Sequence, residues 1–263
     1  MTLKFPHHPD VPLNKSPLTE VVCQIRFPTI LRIANEAPVE FQERVRRRFP
    51  RFEPDDAGFS FQFSMSDAGI AVPPSFPSNP RLFRFQTNDR SSFISLASDF
   101  YALSTTRYTV WDDFARDLEL AHLAVRDTYD PSFATRIGLR YINHIRPPQF
   151  GFSSIDEAIE IFRSDLTSLL QVDVWDTPIE MFSQLLLNDD EGHLGLRFGI
   201  TRPEGEAQMV LDLDYFDDRE LGFDSLIKRC REYHDIIYAA FRWCIKDDQL
   251  HVFDPATEQG GQL

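Results

Sequence analysis

Apolar and polar residues alternate most clearly over residues 134–146 (ATRIGLRYINHIR), where Ile137, Leu139, Tyr141 and Ile145 fall on one side and Arg136, Arg140 and His144 on the other. A period of two marks a strand with one buried face. Residues 20–27 (EVVCQIRF) alternate in the same way, with Val21, Cys23, Ile25 and Phe27 opposite Glu20, Gln24 and Arg26. Further strands are predicted at 59–65, at 81–86 and 92–98 around the turn Asn88-Asp89-Arg90, and at 180–187, 193–200 and 208–215, these last joined by turns at 188–192 and 202–205.

Helical spacing takes over between these runs. After Pro38, which suits a first helical turn, Val39, Phe41, Val45 and Phe49 share one face of a stretch reaching residue 49. Trp111, Phe114, Leu118, Ala121, Val125 and Tyr129 predict a long amphipathic helix that ends at Asp130-Pro131. Another is expected over 154–170, opened by Ser154 with Glu157 three residues on, the spacing of a capping box. The last uses Phe223, Leu226, Cys230, Ile237 and Phe241.

These landmarks recur. The strands at 20–27 and 134–146, the helix openings at Val39 and Ile155, the triplets Asp99-Phe100-Tyr101 and Asp214-Tyr215-Phe216, and the helix openings at Trp111 and Phe223 are each separated by 112 to 116 residues. Regular offsets of this kind point to one unit used twice. The expected organisation is an extended N-terminal segment (1–17), a β-α-β-β-β-α unit (18–131), a second (132–246) and a tail (247–263). The fold class is α+β, with helices packed on one face of a curved antiparallel sheet. Its topology is analogous to TATA-binding-protein-like or helix-grip folds, which says nothing of function. The other face would carry Gln24, Arg26, Gln62, Arg84 and Asp99 from the first unit, with Arg140, His144, Gln184, Arg197, Asp212 and Asp214 from the second. Alanine at Arg140 is then expected to be nearly neutral for stability.

Composition adds a core and a charge asymmetry. A hydrophobic content of 42%, with 24 phenylalanines, fits a globular chain. The apolar runs are too short to span a bilayer, and the first residues lack a secretion signal's apolar stretch, so the expectation is a cytoplasmic protein with no membrane partner. Cys230 and Cys244 lie too far apart on one helix to pair, and Cys23 reads as a small core residue. Net charge is −14, of which residues 132–263 hold −12 (12 basic, 24 acidic). Such a field favours a basic partner and disfavours nucleic acid.

Catalytic signatures are absent: no G-x-S-x-G, H-E-x-x-H, P-loop or G-x-G-x-x-G. His7-His8 with Asp10 is a weak metal motif, and the arginines at 44 and 46–48 read as a solvated helix end. Asp212 and Asp214, with Asp217, Asp218, Asp189, Asp190 and Glu191 nearby in sequence, are the best candidates for holding Mg²⁺. Cross-strand ion pairs with Arg84, Arg140 or Arg197 are the commoner use of such carboxylates. His234 and Asp235 are adjacent on a helix and do not face each other. Tyr141 and Asn143 need hydrogen-bond partners on a buried face.

The run PLTEVVCQIRFP followed by ILRI, then FQERVRRRFP, LRYIN at 139–143 and the late REYHDIIYAAF resembles a sporadically distributed bacterial family of uncharacterised function, over nearly the whole chain. That resemblance implies an accessory gene of the kind found among defence or toxin–antitoxin components, and it transfers no catalytic residues. The expectation is a non-enzymatic component of a bacterial accessory system, in phage defence or as an antitoxin-like inhibitor, that binds a basic protein partner without metal or cofactor; its oligomeric state stays open. Partner contacts are assigned to Arg26, Arg84, Asp99, Arg140, His144, Arg197, Asp212 and Asp214. The alternatives are a Mg²⁺-dependent enzyme using Asp212 and Asp214, and nucleic-acid binding by the curved sheet.

Overall fold

A computed structural model describes residues 3–55 and 81–256 of the chain. The strand expected at 59–65, with Gln62, lies outside the described residues. In chain order the elements are Leu18–Arg26 (β1), Leu31–Asn35 (α1), Val39–Val45 (α2), Arg51–Asp55 (β2), Leu82–Gln86 (β3), Ser92–Ala97 (β4), Phe100–Thr105 (β5) and Trp111–Tyr129 (α3). There follow Arg136–Ile145 (β6), Ile155–Ile159 (α4), Ser164–Thr167 (α5), Met181–Asn188 (β7), His193–Thr201 (β8), Gln208–Asp217 (β9) and Leu226–Cys244 (α6).

Among the described residues nine strands form one open antiparallel sheet in the order β2-β3-β4-β5-β1-β6-β9-β8-β7. The centre is the β1–β6 pair, in register from Val21↔Tyr141 through Cys23↔Leu139 to Arg26↔Arg136. Outward from it run β5, β4, β3 and β2 on one side and β9, β8 and β7 on the other. The alternation read from the sequence decides which face is covered. Val21, Cys23, Ile25, Ile137, Leu139 and Ile145 are fully buried. They face α3 and α6, two 19-residue helices that pack against each other and the central strands. Cys23 Sγ on β1 touches Cys230 Sγ on α6 at 3.4 Å, both thiols free. No helix among the described residues is long and apolar enough to cross a membrane.

Several expected boundaries move. The helix from Val39 stops at Val45 and is followed by a turn in which the Phe49 N–H donates to the Val45 carbonyl; Pro50, without an N–H, carries it no further. Phe49 still reaches the core. The helix expected over 154–170 is two short ones: between them Phe162 bridges to Ile245, and the Arg163 N–H donates to the Cys244 carbonyl, pulling the backbone out of helical geometry. Ser154 does cap α4, its Oγ accepting from the Glu157 N–H at 3.3 Å, but the Glu157 carboxylate returns to the Ser153 N–H instead. Phe100–Thr105 is a strand of its own, entered by a tight turn at Ser98-Asp99, so Asp99 sits in that turn and not on a strand face. β2 has no counterpart in the expected strand list. Asp130 terminates α3 in left-handed geometry (φ 47°), immediately before Pro131, as its sequence suggests.

Residues 3–17 form no helix or ladder strand and lie along the body. The Leu3 N–H donates to Asp189 and the Val11 N–H to the Tyr238 hydroxyl, while Asn14 pairs with the Asp254 carbonyl. The apolar patch after α6 is a 3₁₀ segment, Asp247–Phe253, whose Phe253 is buried against Phe150 and Phe241.

Leu139 stands at the middle of the central pair with no exposed surface. Leu139→Asp is expected to unfold the protein, since an unpaired buried carboxylate costs several kcal/mol against a typical total of about 5–15. Circular dichroism on heating checks this: loss of the cooperative transition is the expected result.

Candidate functional site

The face of the sheet opposite α3 and α6 carries the polar half of the alternation. Ladder positions align Ile142, Asp212, Arg197 and Gln184 across β6, β9, β8 and β7, and Arg140, Asp214, Gly195 and Leu186 in the next row. Arg140 reaches diagonally to Asp212, donating from Nε at 2.7 Å and Nη2 at 2.5 Å, a two-pronged charge-assisted pair. Burial lowers the His144 pKa, with Arg146 adding to the effect. Arg140, His144, Arg197 and Asp212 line one groove of about 870 Å³, whose apolar wall includes Ile142, Ile179 and Phe182.

Four of the eight expected contact residues therefore meet. Asp214 lies beside the groove, 3.9 Å from Arg136. Arg26 is exposed at the far end of β1, opposite Arg136. Arg84 belongs to β3, five strands from β9 or roughly 24 Å away, with its guanidinium over the Phe93 ring. Asp99 is in its turn. The eight do not form one site, because alternation shares them across a sheet too wide for a single contact. Arg140 is also no freely replaceable surface residue: its removal would leave the Asp212 carboxylate, only 8% exposed, without its partner.

Several of the carboxylates expected to hold Mg²⁺ are engaged by arginines. Asp212 is clasped by Arg140, and Asp217 accepts from Arg219 Nε and Nη2 at 2.9 and 2.7 Å. Glu191 pairs with Arg219 and Arg229, and Asp189 accepts from the Tyr215 hydroxyl. Among the described residues no group of three His, Cys, Asp or Glu side chains is placed to bind a metal.

Two features were missed in the sequence. The first is on the helix side. His234 has its carboxylate partner in Asp10, 224 positions away at 3.1 Å, and not in Asp235. A carboxylate only accepts, so Nε2 carries the proton, while the Tyr141 hydroxyl sits 2.7 Å from Nδ1 and 3.3 Å from the Tyr108 hydroxyl. This chain lines a cavity of about 50 Å³, room for a few waters. Trp111 stacks on His234 at 4.7 Å, and Phe223 stacks on His122 at 4.6 Å. His122 in turn lies 2.8 Å from the Tyr101 hydroxyl, and burial pushes its pKa down to about 4, so the ring is neutral at pH 7. Asn143 finds its expected partner, donating to the Leu211 carbonyl.

The second missed feature is apolar and exposed. Phe182 (52% exposed), Leu185 and Leu186 stand on β7, preceded by exposed Leu169, Val174, Trp175 and Ile179. A signal for it existed: residues 164–192 contain seven acids and no Lys, Arg or His. Neither a family model nor a curated protein matches the chain.

Asp214 supplies a pH signature. Its Oδ1 meets no hydrogen-bond donor among the described residues, and burial pushes the carboxyl pKa up to about 6, with Arg136 and Arg140 pulling the other way. A raised native pKa means the folded state holds the proton more tightly than the unfolded chain. Its contribution is therefore intact below about pH 4 and is lost as pH rises through 6. The loss is at most about 3 kcal/mol at roughly 1.4 per unit. Asp214→Asn is expected to remove this dependence, so that urea midpoints of the variant and the parent diverge progressively between pH 4.5 and 7, the variant gaining.

Proposed function

We propose that the protein is a non-enzymatic, partner-binding component of a bacterial accessory system, of the defence or inhibitor type that its sequence resemblance implies. It holds a basic protein against the second half of the sheet. The observation that carries this reading is the exposed apolar surface of β7 and the segment before it, continuous through Ile179 and Phe182 with the groove at Arg140 and Asp212. Exposed apolar clusters with a polar rim mark interaction sites, and the seven acids of residues 164–192, with no Lys, Arg or His among them, favour a basic partner.

The same reading takes the two halves as copies of one ancestral unit. It is supported by the symmetry of the central ladder about Cys23↔Leu139, which relates Val21 to Ile137 and Ile25 to Tyr141. It is supported again by the reciprocal stacks, since His122 and His234, like Trp111 and Phe223, are 112 positions apart. One alignment changes: by ladder position Tyr101 corresponds to Leu213, and the Asp99 and Asp214 triplets do not coincide. The half that ends in β7 carries the partner, and the acids paired with Arg140 and Arg136 leave the face poorly suited to a phosphate backbone.

A photo-crosslinking phenylalanine analogue at position 182, with a control at exposed position 46, tests the function in host cells. The expected result is one basic protein labelled from 182 alone, whose purified form binds with micromolar or tighter affinity and loses about tenfold with Phe182→Ser, or ~1.4 kcal/mol. Equal labelling from both positions, or an affinity unchanged by Phe182→Ser, overturns it.

A further inference from the structure

The sheet has two ends, and they are built differently. At one, β2 reads RFEPD, a sequence with three charges and a residue without an N–H within five positions. Those are the features that prevent a sheet edge from pairing with another chain. At the other, β7 reads MFSQLLLN, with no charge and no proline. Its ladder with β8 is unbroken over eight residues, Met181↔Ile200 to Asn188↔His193, with no bulge to twist the edge away. Among the described residues no strand pairs with its outer side.

Among the described residues nothing pairs with the backbone groups on that outer side, which repeat along about 25 Å of strand. The side chains beside them are apolar on both faces. Phe182 and Leu186 lie on the groove face, with Leu185 on the helix face, and each is about half exposed. A strand added some 4.8 Å away would cover all three. Gly199 on β8 lets the edge lie close: a Cβ there would fall 2.0 Å from the Met181 carbonyl oxygen, so no other residue fits without moving β7.

Charge decides what the added strand is. Exposed Asp173, Asp176 and Glu180 precede β7, and Asp189, Asp190 and Glu191 follow it. A second copy of this chain pairing antiparallel through β7 would set Glu180 of one against the acidic turn of the other, with no base between residues 164 and 192 to relieve it. We infer that β7 is a receptor edge, and that an extended segment of a partner protein, apolar at its centre and bearing Lys or Arg at its ends, pairs with it as a tenth strand. Main-chain bonds would supply affinity, and Phe182, Leu185 and Leu186 the selectivity. This rests on the protein-binding reading above but fails separately from it.

The test uses the full chain and a synthetic peptide of alternating valine and threonine with two lysines at each end, beside the same peptide with glutamates. The lysine peptide is expected to bind at least tenfold more tightly by fluorescence anisotropy and to slow amide hydrogen exchange within residues 181–188 and not within 51–55. Leu186→Lys should abolish binding while leaving the melting temperature within a few degrees; Gln184→Pro, which removes an N–H on the outer side of β7, should do the same. Equal binding of both peptides, or binding without protection of β7, overturns the inference. So does a dimer in analytical ultracentrifugation that Leu186→Lys dissociates, for the occupant would then be a second copy. If a partner crosslinks at position 182 yet binds Gln184→Pro unchanged, strand addition is wrong and the protein-binding reading survives.

Discussion

The antiparallel pairing of β1 with β6 is the contact on which the nine-stranded sheet depends. Without it the molecule would be two smaller sheets, each with an uncovered edge at its most apolar strand, where Val21, Cys23 and Ile25 meet Tyr141, Leu139 and Ile137. The pair also sets the footing of the helices. Because side chains alternate strictly across a strand, a one-residue slip would turn these residues away from α3 and α6 and bring Gln24 and Arg140 beneath them. Register and layer order are therefore one decision.

The helices are tied to the sheet by polar tips as well as by apolar burial. Each long helix supplies a histidine that bonds a sheet tyrosine and is covered by the aromatic residue opening the other helix segment: His122 with Tyr101 under Phe223, and His234 with Tyr141 under Trp111. A buried tyrosine hydroxyl without a partner would be costly, so these bonds restrict how α3 and α6 cross. The two sites differ in one respect. His234 has a second partner in Asp10, which draws the N-terminal segment over the small cavity beside it.

On the opposite face, the arginine–carboxylate pairs line and border the groove at one end of the sheet. Arg140 and Asp212 neutralise each other within the sheet, leaving the acids of residues 164–192 to set the field at the β7 end. A sheet that protects one edge with charge and proline and leaves the other apolar is polarised along its width. The groove, the edge and the acidic segment lie at the same end, which explains why the charge asymmetry of the chain has a spatial counterpart.

The sequence by itself determined the described strands other than β2 and β5, their faces and the two long helices, since periods of two and 3.6 are local properties and the buried faces are strongly apolar. It placed Leu139 inward and Arg140 outward, and the Asp130-Pro131 stop after α3, from neighbouring residues alone. Only the tertiary structure decided which carboxylate meets His234, because Asp10 is 224 positions away. Likewise it separated Arg84 from Asp212 by the width of the sheet, broke the helix expected over 154–170 by docking Phe162 on Ile245, and made β7 an edge. Alternation says that a strand has two faces; it carries no record of what lies beside the strand, and position in the sheet is what turns Phe182, Leu185 and Leu186 from core-like residues into an exposed surface.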